Sequence, residues 1–403
     1  MAIRKKAPSG AMALVWGLFG CAFFLVYGLA AERTGQRIET ENGARIVHNA
    51  KGGEWGNAPK VALELVRKIG DVDADDENLA FDMPVDMAVD AGGRLYVLDS
   101  GNSRVQVFGP DGRYVRTIGR RGQGPGEFAD PNSIAVDRRG HIHVLDDAQK
   151  RVQVFTPAGE VVKTIPVTRL RLERLRLLGS GSLVTSGYGF LGTQGLAKEK
   201  TPPKLVRLLG PDLEVVGELG DPFDYGEELT NRVANSVSFE VDGRDRIGLA
   251  FFYQNRIEQY SSAGRLLWRA DRPLDYSTKL IEKGRQEITA TSVRYFGPKL
   301  NRVADGLAVD GRDRIWVLTR GRQIRKEEEI TFMMSGSTRK VTGAADLRTT
   351  DMYKLEVFSP DGVLLGAIPL THFADGIWIR GDRLFLLDRD RGVCFYEYRI
   401  VEK

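Results

Sequence analysis

The sequence predicts an all-β fold, a six-bladed β-propeller, and three observations carry that expectation. A unit repeats at an offset of 47 residues, each unit divides into four short strands, and Gly, Asp and Pro punctuate the joints. Glycine supports it: 46 Gly against 16 Pro, without a collagen-like period, means many tight turns.

The chain opens with Arg4, Lys5 and Lys6, followed by the uncharged run Ala11 to Ala31, AMALVWGLFGCAFFLVYGLAA. As a helix rising 1.5 Å per residue, this run spans about 30 Å, the thickness of a hydrocarbon core. Basic residues before it stay cytoplasmic by the charge rule, so everything after Glu32 is expected outside the membrane. Residues 1–31 read as a signal anchor or as a signal peptide. The length favours an anchor, and Gly28-Leu29-Ala30 offers small residues for cleavage. Lipidation at Cys21 is a third reading, disfavoured by Phe19 and by the apolar run that continues past the cysteine.

Residues 32–57, rich in Gly, Asn and charge, read as a linker, and 58–403 as the propeller. Val61–Gly70 (VALELVRKIG) has the character of an outer strand without a blade of its own. The first full unit, 84–119, is PVDMAVDAGGRLYVLDSGNSRVQVFGPDGRYVRTIG, and the second, 131–165, is PNSIAVDRRGHIHVLDDAQKRVQVFTPAGEVVKTI. Asp90 aligns with Asp137, Asp99 with Asp146, Arg104 with Arg151 and Phe108 with Phe155. Weaker copies follow at 170–219, 235–270, 305–368 and from Phe373 to the end. The second strand recurs as LYVLD, IHVLD, IGLAF, IWVLT and LFLLD, apolar enough to lie between neighbouring blades. The last unit lacks a fourth strand, and 61–70 is expected to supply it and close the ring.

These units, and above all GRRGQGPGEF at 119–128, resemble NHL repeats and the wider bacterial six-bladed propeller group. The resemblance implies the fold alone, because that group includes binders, extracellular sensors, RNA binders, lyases and hydrolases.

Composition narrows the functions. Without the three basic residues of 1–31, 55 Lys+Arg face 54 Asp+Glu, which gives no electrostatic case for nucleic acid. Cys394 is the single thiol outside the N-terminal segment, so no internal disulfide is expected. No nucleophile motif, phosphate loop or Cys/His cluster occurs, and GQGPG lacks the Lys-Ser/Thr of a phosphate loop.

The long links, 119–131, 187–203, 220–233, 271–303 and 320–352, all join strands at one end of the blades. Antiparallel succession places them on one face, the expected binding face. Where the inner strands leave that face they carry Asp86, Asn132, Glu173, Asn235, Asp305 and Asp375. Converging oxygens of this kind suit Ca²⁺ or a cationic group, and equally a hydrated channel lining. Metal-dependent lactonases of the resembled group use sets of similar type and place.

His141 and His143 share one side of their strand, and a zinc site there needs ligands from elsewhere. Asp99/Arg104 and Asp146/Arg151 read as structural charge pairs, and RQIRKEEE at 322–329 as a solvated loop. Phe332-Met333-Met334 reads as a partner contact or as packing onto the propeller. The expected function is an exported or membrane-anchored ligand- or protein-binding, sensing scaffold acting through its long-loop face. No resident cofactor is expected, and residues 11–31 contact the membrane. The alternative is a metal-dependent hydrolase or lyase, lactonase-like, using the polar channel mouth.

Overall fold

The computed structural model describes residues 35–167, 172–186, 204–288, 293–335 and 338–403. The apolar run 11–31 therefore lies outside the described residues, as does the 187–203 link. Among the described residues no helix is long and apolar enough to cross a membrane.

Six four-stranded blades form a ring in which each inner strand contacts the inner strands of its two neighbours. The first blade is Pro84–Val89, Leu95–Asp99, Arg104–Phe108 and Tyr114–Ile118. The second is Pro131–Val136, Ile142–Asp146, Arg151–Phe155 and Val161–Pro166. The third is Leu175–Leu177, Leu183–Ser186, Val206–Leu209 and Val215–Leu219. The fourth is Val237–Val241, Ile247–Phe251, Ile257–Tyr260 and Leu266–Asp271. The fifth is Ala304–Val309, Ile315–Arg320, Tyr353–Phe358 and Leu364–Pro369.

The sixth blade joins the chain's two ends. Gly376–Arg380, Arg383–Asp388 and Cys394–Glu402 take Val61–Ile69 as outer strand, with Val61 opposite Glu402 and Ile69 opposite Phe395. Both ends of that strand are buried, and its middle is exposed.

Position in the blade decides burial. Leu95–Asp99 and Ile247–Phe251 are buried at every residue, because a neighbouring sheet covers each face. Outer strands such as Val161–Pro166 are mostly exposed. The apolar clusters sit between blades: Tyr96 and Leu98 of the first pack on Ile134, Ile142 and Val144 of the second. Truncating one such residue to Ala costs about 2–5 kcal/mol.

The segment 32–57 is not a linker over its described part. Arg37–Glu41 and Ala44–His48 form a hairpin, and the latter strand runs parallel to Leu266–Asp271, adding two strands to the fourth blade. Ala44, Ile46 and Val47 are buried, and Asn49 Oδ1 accepts from Leu364 N at 2.7 Å. A few apolar residues suffice because they meet a ready-made sheet edge, which they cover.

Candidate binding face

The two ends of the propeller are built differently. At the short-turn end an Asp holds each of several tight turns. Asp90 accepts from Arg94 N at 2.9 Å and Nε at 2.8 Å, and Asp242 and Asp310 hold Arg246 and Arg314 in the same way. At the other end lie the long links: the helix Glu228–Ala234 and the hairpins Arg285–Ile288/Val293–Phe296 and Ile330–Ser335/Thr338–Gly343. The helix starts where Glu227 accepts from Leu229 N and Thr230 N, two donors the first turn leaves free.

The 119–131 link is folded rather than open. Gly119 has φ +79°, and a Cβ there would strike the ring of buried Phe128 at 2.2 Å. Glu127 folds back to accept from Gly124 N at 2.8 Å and from Arg120 Nε at 2.9 Å. GRRGQGPGEF is thus a self-capped turn.

Inside the ring, register sorts the predicted residues. Asp86, Ser133, Ser238, Gly306 and Gly376 lie opposite Leu98, Leu145, Ala250, Leu318 and Leu387, one equivalent position in five blades. Asn132 and Asp305 sit one residue earlier, at β-bulges that the pairing skips. Asp375 also precedes its equivalent position by one residue. The six residues thus do not form one ring, because a bulge re-aims the side chain it adds.

Asp86 is buried in the channel's centre. It accepts from Ser133 Oγ at 2.7 Å, Ile134 N at 3.1 Å, Trp378 Nε1 at 3.0 Å and Arg176 at 3.2 and 3.3 Å. Burial pushes its carboxyl up, and Arg176 and Arg174 outweigh that, leaving it below the usual range. Arg176 also binds Glu240 at 2.8 Å, so the network ties the first, second, third, fourth and sixth blades together. Arg174 stands beside it, 3.8 Å from Asp86 and 5.9 Å from the Trp378 ring centre; burial and Arg176 bring it down to about 10.

The six sheets and this shared centre decide the architecture. The chain is a six-bladed β-propeller.

Comparison with known proteins agrees at that level. A family model described as a 6-bladed beta-propeller matches residues 84–170. A solved member of the duf4221 family from Bacteroides vulgatus is 11% identical, with a TM-score of 0.56, covering 85% of this chain and 99% of its own. A Bacteroides fragilis protein described as exported is 11% identical with a TM-score of 0.53, covering 89% of this chain and 100% of its own. No curated protein matches the chain. At these identities the likeness is one of fold.

Nearer the long-link end of this propeller, Asp305 accepts from Arg320 Nε at 2.7 Å and pairs with Arg302 at 2.5 Å. Burial raises it, and the two arginines hold it below its usual range. Asp375 differs. Burial pushes it up to about 6, against Arg389, whose backbone N–H it accepts at 2.9 Å. Asn235 caps the helix Glu228–Ala234, accepting from Phe223 N at 2.8 Å and donating to Phe223 O and Asn231 O. Asn132 Oδ1 is buried without a hydrogen-bond partner, and Glu173 is half-buried.

The structure therefore does not assemble the six residues into one cation cage. Asp86 and Asp305 spend their lone pairs on guanidinium groups, and Asp86 is walled off by Trp378 and Ser133. Among the described residues no three His, Cys, Asp or Glu stand close enough to hold a metal ion. His141 and His143 fall under the same statement: both face Asp137, at 3.0 and 3.8 Å.

Other expectations change in detail. Asp99 and Arg104 pair at 2.8 Å, whereas Arg151 donates to the carbonyls of Gly124 and Glu127. RQIRKEEE is exposed from Ile324 to Glu327 and at Glu329, while Glu328 within it is buried and accepts from Arg322 at 2.6 and 2.7 Å, Arg325 N and Thr350. The hydrogen bond from Arg322, against burial, brings Glu328 down to about 2. The side chains of Phe332, Met333 and Met334 lie outside the described ones.

Sequence reasoning missed a cavity of about 310 Å³ in the channel at the short-turn end. A register-equivalent aliphatic residue from each blade rings it (Val89, Val136, Leu177, Val241, Val309 and Ile379), with Arg176, Glu240 and Trp378 beside them. The one signal in sequence was the aliphatic residue at or next to the end of every inner strand.

Proposed function

We propose that this propeller is an extracytoplasmic scaffold that binds a partner protein across its long-link face. One observation carries the reading. Away from the exposed outer strands, every exposed large apolar residue among the described residues belongs to that face: Val72, Phe223, Ile281, Tyr295, Phe296 and Ile324. Ile281 is 65% and Phe223 57% exposed, on links that the sheets do not need. Exposed apolar surface rimmed by charge is the usual mark of a contact surface. The rim here is arginine-rich: Arg302 lies 4.5 Å above the Phe252 ring and Arg285 3.9 Å above Phe296.

Location outside the cytoplasm rests on the basic residues and apolar run of 1–31, and the exported Bacteroides fragilis relative in fold supports it. Cells carrying a photo-crosslinking residue at Phe223 or Ile281 are expected to give a discrete adduct. The same residue at Asp111 or Pro157, in short turns, is expected to give none. Adducts of equal yield from both ends would remove the reading.

A further inference from the structure

The second blade departs from its siblings at one position. The residues opposite Ala88, Ala135, Ala308 and Trp378 on the second strands are Tyr96, His143, Trp316 and Phe385. Tyr96, Trp316 and Phe385 are fully buried, each packed on the next blade: Tyr96 on Ile134 and Ile142, Trp316 on Ile377 and Leu384, Phe385 on Leu95. In the fourth blade the position is Gly248, and buried Trp268, two strands outward in the same row, brings a ring to that blade. Val184 occupies it in the third, fully buried.

In the second blade two substitutions coincide. His141 stands where Arg94 and Arg314 stand, and His143 where Tyr96 and Trp316 stand. In the first and fifth blades the turn aspartate binds both partners: Tyr96 Oη donates to Asp90 at 3.1 Å and Trp316 Nε1 to Asp310 at 2.8 Å. In the second, His141 Nδ1 takes Asp137 at 3.0 Å, and His143 Nε2 stays 3.8 Å away. Both ring nitrogens of His143 are buried without a hydrogen-bond partner. Beside them a cavity of about 190 Å³ opens between the second and third blades, walled by Val154, Ile165, Leu183 and Pro211, with Lys163 among its lining residues.

We propose that this cavity binds a small aromatic molecule carrying one hydrogen-bonding group, a phenol or an indole, whose ring takes the place of the side chain missing from this junction. The volume is sufficient, since an engineered apolar cavity of roughly 150 Å³ holds benzene. Val154, Val162, Ile165, Leu183 and Pro211 give the cavity an apolar wall for the ring, and Asp137, His141 and Lys163 join His143 on its polar side. Burial pushes the His143 imidazole below its usual range, against the opposing pull of Asp137, so near neutral pH it is uncharged. A neutral imidazole offers one donor and one acceptor, which suits a hydroxyl or an indole N–H and leaves no charge requirement on the ligand. Satisfying a buried unpaired ring is itself a driving force.

The test is titration of the intact chain with p-cresol, indole and toluene, read by calorimetry and by the histidine ring signals in NMR. p-Cresol or indole is expected to bind and to shift the His143 signals, with toluene roughly tenfold weaker for lack of a hydrogen bond. His143→Tyr, which restores the first blade's residue, is expected to abolish binding and to raise the melting temperature. Val162→Trp, an exposed change at the cavity's lining, is expected to weaken binding without altering the fold. No binding by any of the three compounds at millimolar concentration overturns the proposal. So does binding that persists unchanged in both variants.

Discussion

The two ends of the propeller follow opposite rules. At the short-turn end Asp90, Asp242 and Asp310 each close a tight turn and grip the arginine four residues on, within 2.6–2.8 Å. At the long-link end the blades diverge: Asp99 binds Arg104 at 2.8 Å in the first, whereas in the fourth Phe251 takes that place beneath Arg256, 4.3 Å from its ring centre. In the fifth, Thr319 donates to Glu356 at 2.9 Å. Repetition marks the end that folds the molecule, and divergence the end free to be adapted.

The channel between the two ends gives the largest effect expected. Asp86→Ala removes the partner of a buried arginine and leaves Trp378 Nε1 and Ser133 Oγ without their acceptor. Breaking such a pair costs about 3–5 kcal/mol, read as a shift in the midpoint of chemical denaturation. A loss under about 1 kcal/mol would mean that the channel is a hydrated lining rather than a keystone.

Asp375 supplies a smaller effect with a definite sign. Its folded value of about 6 lies above the 3.8 of an unperturbed Asp, so the folded state holds its proton more tightly. The contribution of Asp375 to stability is therefore expected to fall as pH rises from about 4 to about 6, and to stay lower above it. Asp375→Asn keeps an acceptor for Arg389 N and removes the charge, so above pH 7 it should stabilise the protein by on the order of 1–2 kcal/mol. Below pH 4 the two proteins should unfold together. An equal shift at both pH values would show that packing, not ionisation, separates them.

What the sequence made legible follows from periodicity. Six blades and their four-strand pattern were readable because turn residues and apolar second strands recur at fixed offsets. The channel was not, because Asn132 and Asp305 are bulge residues. One extra residue moves a side chain to the other face, and nothing local in PNSIAV or ADGLAV marks the slip. The grip of Arg176 on Asp86 spans 90 residues of chain, so only the closed ring brings the pair together. The hairpin at 37–48 escaped notice because three buried residues disappear in an otherwise polar composition.

The smallest expected effect on stability bears most directly on the difference between the ends. Phe223 and Ile281 are large, apolar and mostly solvated, so Phe223→Ser with Ile281→Ser removes little buried area. Substitutions of that kind change stability by about 0.5 kcal/mol or less. Phe223 does lie against Tyr225, ring centres 4.7 Å apart, an edge contact worth about 0.5–1.5 kcal/mol when well formed. The matched control is Val161→Ser with Val162→Ser on an outer strand, which exchanges the same kind of exposed surface away from the face. If the long-link face is a contact surface, the first pair should keep the melting temperature while erasing the crosslink formed from a probe placed at Tyr295 on the same face, and the control should leave that crosslink intact. A loss of several degrees from the first pair would mean that these residues hold the links onto the ring, and that the long-link end, like the short one, is there to fold.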